Sequence, residues 1–253
     1  VQDIDLWNTL VSMYIKHGFG EEALNILETK DHEGCFPDVA TLILSLKACA
    51  MVGALDKGQE IHIVIARQGL LERNLYIGSI LIDMYIKCNS LSKAQEAFDQ
   101  LLNRDVVSWT ALMAGYAQVG RDRIVLDSYE RMIGEGINPD VVTFTVLLNA
   151  CSDAGLLDEG KIYFETMIRS YGIIPTQEHC ACMEDLFSRA GQFDKALVVI
   201  ERMPRFDHVP TWATLLGACK KWRNMNLARW LFEKLIELDE NCAAAYVYME
   251  NIY

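Results

Sequence analysis

The chain repeats itself. Trp7-Asn8-Thr9-Leu10, Trp109-Thr110-Ala111-Leu112 and Trp212-Ala213-Thr214-Leu215 are variants of one tetrapeptide. Met13-Tyr14-Ile15-Lys16 returns as Met84-Tyr85-Ile86-Lys87, and Pro37-Asp38-Val39 returns as Pro139-Asp140-Val141. Aligned on these, the 253 residues divide into units 4–38, 39–74, 75–105, 106–140, 141–176, 177–208 and 209–242. Their lengths are 35, 36, 31, 35, 36, 32 and 34 residues, and 243–253 opens an eighth. A period in this range marks stacked supersecondary units, because one hairpin of that size cannot bury its own apolar face.

Positions that played no part in the alignment support it. The fifteenth residue of the first six units is Gly18, Gly53, Asn89, Gly120, Gly155 and Gly191, the residue types that tolerate the left-handed backbone of a helix C-cap. The seventh unit departs with Arg223, followed by Asn224. Five residues further on come Ala23, Gly58, Ala94, Val125, Gly160, Ala196 and Ala228, nearly all small, as two closely approaching helices require. Apolar residues recur at helical spacing, for example Leu10, Val11 and Tyr14, then Ala23, Leu24 and Leu27. Pro37, Pro139 and Pro175 stand at unit ends, where a helix must stop. Each unit therefore reads as helix, turn, helix, short connector. The fold class is all-α, a right-handed solenoid of helix-turn-helix repeats with first helices lining its concave side, and no strand pattern competes.

Charge and cysteines narrow the function. Lys+Arg is 23 against Asp+Glu 35, a net charge of −12, which argues against a general polyanion binder but leaves room for a local basic groove. No apolar run approaches the roughly 18 residues of a membrane span. Val1 is not an initiator, no targeting segment is visible, and both ends read as cut from something longer. The eight cysteines contain no C-x-x-C pair, so a zinc site is not expected. Cys49, Cys151 and Cys219 share an Ala-Cys context, which points to a packing position and to reduced, structural thiols. His17, His32, His62, His179 and His208 stand at no metal or catalytic spacing and read as surface or groove residues. No P-loop, G-x-G-x-x-G or Ser/His/Asp arrangement is recognisable, so neither cofactor nor metal is expected.

Repeats of this length and content resemble those of pentatricopeptide repeat (PPR) proteins, and the alternation of lengths resembles the plant PLS subclass. Leu-Lys-Ala-Cys-Ala (46–50), Leu-Ile-Asp-Met-Tyr-Ile-Lys-Cys (81–88) and Asp-Val-Val-Ser-Trp-Thr-Ala-Leu-Met-Ala-Gly-Tyr (105–116) carry that resemblance. So does Glu178-His179-Cys180-Ala181-Cys182-Met183-Glu184-Asp185-Leu186, which is similar to the last S-type unit. Units 4–38, 39–74, 75–105, 106–140, 141–176 and 177–208 then read as P, L, S, P, L and S. Residues 209–242 resemble an E1 motif and 243–253 the start of E2. The W-x2-L-G-x2-Y signature of tetratricopeptide repeats is missing from every unit.

The resemblance implies sequence-specific binding of single-stranded RNA in a plant mitochondrion or chloroplast, as the specificity part of a C-to-U editing factor. It implies no DNA and no membrane. The family's deaminase chemistry belongs to a C-terminal DYW domain whose H-x-E and C-x-x-C zinc signature is not present here, and Glu178-His179 lacks its spacing, so no catalysis is expected of this chain. Editing partners such as MORF-type proteins or a DYW deaminase are implied in the same way. A protein-binding solenoid in an organellar assembly or ribosome-associated complex is the alternative, with the negative charge suiting a basic partner.

In the family one base is read per repeat by a residue on the first helix and by the last residue of the unit. Carried over, the pairs are Asn8 with Asp38, Ser79 with Asp105, Thr110 with Asp140 and Thr145 with Thr176. The family's code gives U for the first and G for the second and third; the fourth is not a standard pair. Ile43 makes unit 39–74 a spacer, and Ala181 with His208 carries no readable code. The register is U-x-G-G-x-x, and three readable bases imply further repeats upstream. The competing reading of these residues is helix capping and connectors. Val107 and Val142 hold the family's base-sandwiching place, or are simple core. Lys16, Lys87, Arg189 and Lys221 recur two residues before the turn, as phosphate contacts or as partners of the helix dipole. Trp7, Trp109 and Trp212 are read as packing between helices rather than stacking on bases.

Overall fold

The computed structural model describes residues 4–32, 37–202, 212, 213, 215–217, 219, 224–238 and 242–250. Among these every regular element is a helix. They fall into two compact bodies, residues 1–119 and 120–253, each described here by itself.

The first body holds α1 (Ile4–Lys16), α2 (Gly20–His32), α3 (Val39–Val52), α4 (Leu55–Arg67), α5 (Leu70–Arg73), α6 (Leu75–Lys87), α7 (Leu91–Asp99) and α8 (Val106–Gln118). The first helices α1, α3, α6 and α8 lie side by side in that order, and α2, α4 and α7 each bridge their own first helix to the next. The turn between paired helices is closed as the glycine row requires. Gly53 sits at φ 74° and returns its N–H to Cys49 O, ending α3 in a left-handed cap. Asn89, the one non-glycine of the row, adopts φ 55°. The small residues let helices meet. A Cβ on Gly58 would stand 2.5 Å from Met84 Sδ, and one on Gly115 would stand 2.6 Å from Ile86 Cδ1. Trp109 is fully buried, edge-on to Phe98 with ring centroids 4.6 Å apart, so it packs between helices. The one-turn α5 is an addition to the hairpin scheme. Gly69, at φ 63°, breaks α4, and Asn74 then caps α6.

The second body holds α9 (Asp122–Gly134), α10 (Val141–Ala154), α11 (Leu157–Arg169), α12 (Gln177–Arg189), α13 (Phe193–Arg202), α14 (Met225–Leu238) and α15 (Ala243–Glu250). Here α10 packs on α9, α11 and α12, and α12 packs on α13. Leu148, Met183, Leu186, Phe187, Leu231 and Leu235 share one core. Burying a side chain of that size contributes about 1.5–3 kcal/mol. Gly155 and Gly191 again take positive φ at the turns, and a side chain on Gly160 would run into Leu186.

The seven described cysteines are free thiols, and Cys49, Cys151 and Cys219 are completely buried. Burial pushes the first two up to about 12 and the third to about 11, which keeps them protonated and poor as nucleophiles or metal ligands. Glu21 and Glu22 open α2, and Asp158 and Glu159 open α11, at the positive ends of those helices.

Candidate nucleic-acid interface

Among the described residues, Asp38, Asn74, Asp105, Asp140 and Thr176, each the last residue of its unit, stand immediately before the next first helix and cap it. Asp38 Oδ1 accepts from the backbone N–H of Thr41 at 2.7 Å. Asp105 and Asp140 do the same for Ser108 and Thr143, each at 2.8 Å. The hydroxyls of those two residues accept the aspartates' own N–H at 3.0 and 3.2 Å, completing capping boxes. Asn74 caps α6 through Tyr76 N and Ile77 N. Capping and presentation at a helix mouth are therefore properties of the same side chains.

Asn8 and Asp38, 30 residues apart in the chain, meet directly. Asn8 Nδ2 donates to Asp38 Oδ1 at 3.3 Å, and Thr41 Oγ1 lies 2.9 Å from Asn8 Oδ1 and 2.7 Å from Asp38 Oδ1. The amide is half-buried and the carboxylate exposed. An amide held this way has a second N–H and a second carbonyl lone pair left by its valence, side by side.

Thr145 and Thr176 are joined through His179. Thr145 Oγ1 lies 3.0 Å from His179 Nε2 and donates to Val141 O at 3.0 Å; His179 Nδ1 accepts from Thr176 N at 3.1 Å. His179 is fully buried, which corrects its assignment to the surface or groove. Its ring satisfies the cap that a Ser or Thr hydroxyl serves in other units. His62 is also half-buried, with Nδ1 2.8 Å from Tyr85 Oη, and burial lowers its pKa.

Ser79 and Thr110 are more enclosed, at 5 % and 7 % exposure. Ser79 turns its hydroxyl onto Tyr76 O. Thr110 sits on α8 and Asp140 at the mouth of α10, in different bodies. Val107 and Val142 are about half exposed and so are not core. Tyr76 occupies the same second place in its unit and is exposed too, with Lys47 Nζ 3.3 Å from its hydroxyl and 5.7 Å from its ring centre. Register alone could have found Tyr76.

The cation row is uneven. Lys16 is exposed at the end of α1. Lys87 pairs with Asp83 at 2.8 Å, and Arg189 is bracketed by Asp185 at 2.7 Å and Asp153 at 3.5 Å. Lys221 lies outside the described residues, as does His208. At the mouth of α12, hydrogen bonding from Thr176 lowers the carboxyl of exposed Glu178. No cluster of three or more His, Cys, Asp or Glu side chains suited to a metal occurs among the described residues.

Models of the PPR repeat match residues 5–35, 79–106, 142–171, 185–208 and 210–239, more than half of the chain, and a model of the PPR repeat family matches 104–153. The chain belongs to the pentatricopeptide repeat family. Among its relatives in Arabidopsis thaliana is the mitochondrial pentatricopeptide repeat-containing protein At2g03880, 37 % identical over 99 % of this chain and 39 % of the relative. The chloroplastic pentatricopeptide repeat-containing protein DOT4 is 39 % identical over 100 % of this chain and 29 % of the relative. The chain spans about a third to a half of the length of such relatives. The crystal structure of the pentatricopeptide repeat protein PPR10 in complex with an 18-nt psaJ RNA element covers 100 % of this chain and 40 % of that one, with TM-score 0.73 and 17 % identity. PPR10 from maize matches with TM-score 0.60 at 16 % identity over 100 % of this chain and 45 % of that one. The shared fold is the all-α solenoid of PPR hairpins.

Proposed function

We propose that this chain is a sequence-specific, single-stranded RNA-binding module, reading about one base per repeat, within a plant organellar C-to-U editing specificity factor. The observation that carries this is the meeting of Asn8 and Asp38 at the mouth of α3. A locked amide that offers an N–H beside a carbonyl complements the O4 acceptor and N3–H donor of uracil. In this reading 4–208 is the repeat array, 209–242 an E1-type motif and 243–253 the opening of E2. Asn8/Asp38, Ser79/Asp105, Thr110/Asp140 and Thr145/Thr176 are the base-recognition pairs, Val107 and Val142 flank bases, and Lys16 leads the phosphate contacts. The chain binds and does not catalyse; deamination belongs to a DYW domain or a partner. Mitochondrial and chloroplastic names among its relatives support an organellar setting.

The test is selection from a random single-stranded RNA pool, followed by salt-dependent binding of a U-x-G-G oligonucleotide. Thr110→Asn is expected to move preference from G toward U at one position only, and an unaltered or uniformly weakened profile refutes the register. The neutralised Lys87 and Arg189, with the net charge of −12, favour a second reading as a protein-binding solenoid. Absence of RNA binding at any salt, with retention on a basic protein partner, would select it.

A further inference from the structure

The third residue of a first helix does more than close a cap. Thr41 is third in its unit, and its hydroxyl touches both groups assigned to the unit before it, Asn8 Oδ1 at 2.9 Å and Asp38 Oδ1 at 2.7 Å. His179 is third in its unit and again touches both, Thr145 through Nε2 at 3.0 Å and Thr176 N through Nδ1 at 3.1 Å. Two unlike side chains make the same bridge in two separate bodies.

The chemistry of each bridge fixes polarity. An Asn amide can turn over, exchanging its oxygen and nitrogen. Turned over, Asn8 would face its oxygen against the Asp38 carboxylate, which only accepts, and the Thr41 hydroxyl would have to give its one proton to Asp38 and accept from Nδ2 instead. The Asp38 carboxylate thus holds Nδ2 on its side, and the Thr41 hydroxyl reinforces that orientation where it gives its proton to Oδ1. Uracil presents an acceptor beside a donor on its pairing edge, and cytosine presents the reverse. Only the orientation of the amide tells them apart. At the second bridge a ring nitrogen that accepts a backbone N–H carries no proton, so His179 bears its proton on Nε2. That N–H is shared between Val141 O at 2.9 Å and Thr145 Oγ1. The Thr145 proton is turned to Val141 O, leaving this hydroxyl to meet a base as an acceptor.

We propose that at α3 and α12 the third residue of the helix is a positioning residue that sets the hydrogen-bond polarity of the preceding unit's base-reading pair: Thr41 makes unit 4–38 select uridine over cytidine, and His179 makes Thr145 a fixed acceptor. The inference rests on the RNA-reading function proposed above and names residues outside the reading pairs.

Thr41→Val is the cleanest perturbation. Valine has the shape of threonine, and the cap from Thr41 N to Asp38 is made by backbone, so α3 keeps its start. In the random-pool selection the parent is expected to prefer U at the position of unit 4–38. Thr41→Val should reduce the U-over-C ratio there by about three- to tenfold, with purines still excluded and every other position unchanged. Thr41→Ser should restore it. His179→Phe should flatten selection only at the position of unit 141–176. A parent that selects no base at any position overturns the RNA reading itself. A parent that selects bases while Thr41→Val keeps the parental U-over-C ratio overturns the positioning role and leaves the reading standing. Equal loss of affinity for all sequences also overturns it. Thermal unfolding of Thr41→Val close to the parent's accompanies the expected result. Should Thr41→Val unfold, failure of Thr41→Ser, itself folded, to keep the parental ratio overturns the role.

Discussion

Replacing Glu184 by glutamine isolates one buried proton. The eighth residue of the other units is Val11, Leu46, Ile82, Met113, Leu148 and Leu216, all buried and apolar, whereas unit 177–208 places Glu184 there at 2 % exposure. Its described partner is Ser188, whose hydroxyl donates to Oε1 at 2.9 Å. Burial pushes the carboxyl from 4.5 up to about 8; the Ser188 bond opposes the rise and Asp185 adds to it. Below pH 4.5 the folded and unfolded chains both hold the proton, and this part of the stability is fully present. Between 4.5 and 8 only the folded chain holds it, so stability falls as pH rises, by about 1.4 kcal/mol per unit. Above 8 both forms are ionised and the loss levels off, at roughly 4–5 kcal/mol in total. Glutamine keeps the shape and can still accept from Ser188, but it does not titrate. Urea unfolding from pH 5 to 9 should show the variant gaining on the parent at about 1.4 kcal/mol per pH unit up to pH 8 and then running parallel. A difference that stays constant across that range would mean that Glu184 is already ionised in the folded chain, and the reasoning would fail.

Three further outcomes are expected. Gly53→Ala meets no atom within 4 Å, so its cost is the backbone strain of φ 74° alone, about 1–2 kcal/mol, read as a lower Tm by circular dichroism. Trp109→Ala should cost about 3–5 kcal/mol of stability. An unaltered unfolding curve together with weakened RNA binding would show the ring to be a base platform instead. Asp83→Asn releases Lys87 and should raise RNA affinity, steepening the salt dependence by about one unit of slope. An unchanged slope would assign Lys87 to the helix dipole.

The period was legible because solenoid packing repeats its demands at fixed positions. The glycine row had to be glycine or asparagine for its φ, and the Ala23 row is buried throughout because helices meet there. The pairing of Asn8 with Asp38 was implied by the family resemblance, and register supplied only their places in the unit. What register hid depended on neighbours in space. His179 looked like a surface histidine because its partners, Val141 and Thr145, lie more than thirty residues away in the chain. The burial of Ser79 and Thr110 depends on how closely their neighbours pack, which a list of positions does not contain. The ion pairs that occupy Lys87 and Arg189 were half visible: Asp83 and Asp185 stand four residues upstream, but Asp153 reaches Arg189 from another helix. The short α5 followed from Gly69 and Asn74, two residues that the repeat scheme treats as connector.

Because Asp38, Asp105, Asp140 and Asn74 start helices with the same side chains that stand at the helix mouth, recoding this protein is not free. The alphabet open to an engineer at these places is Asp, Asn, Ser and Thr, the residues that can both initiate a helix and offer a short polar edge. In the proposed RNA reading, swaps within that set would alter the base selected and leave the scaffold intact. Alanine or leucine there would remove the cap at a cost of about 0.5–2 kcal/mol, so a change of target would arrive together with a loss of stability.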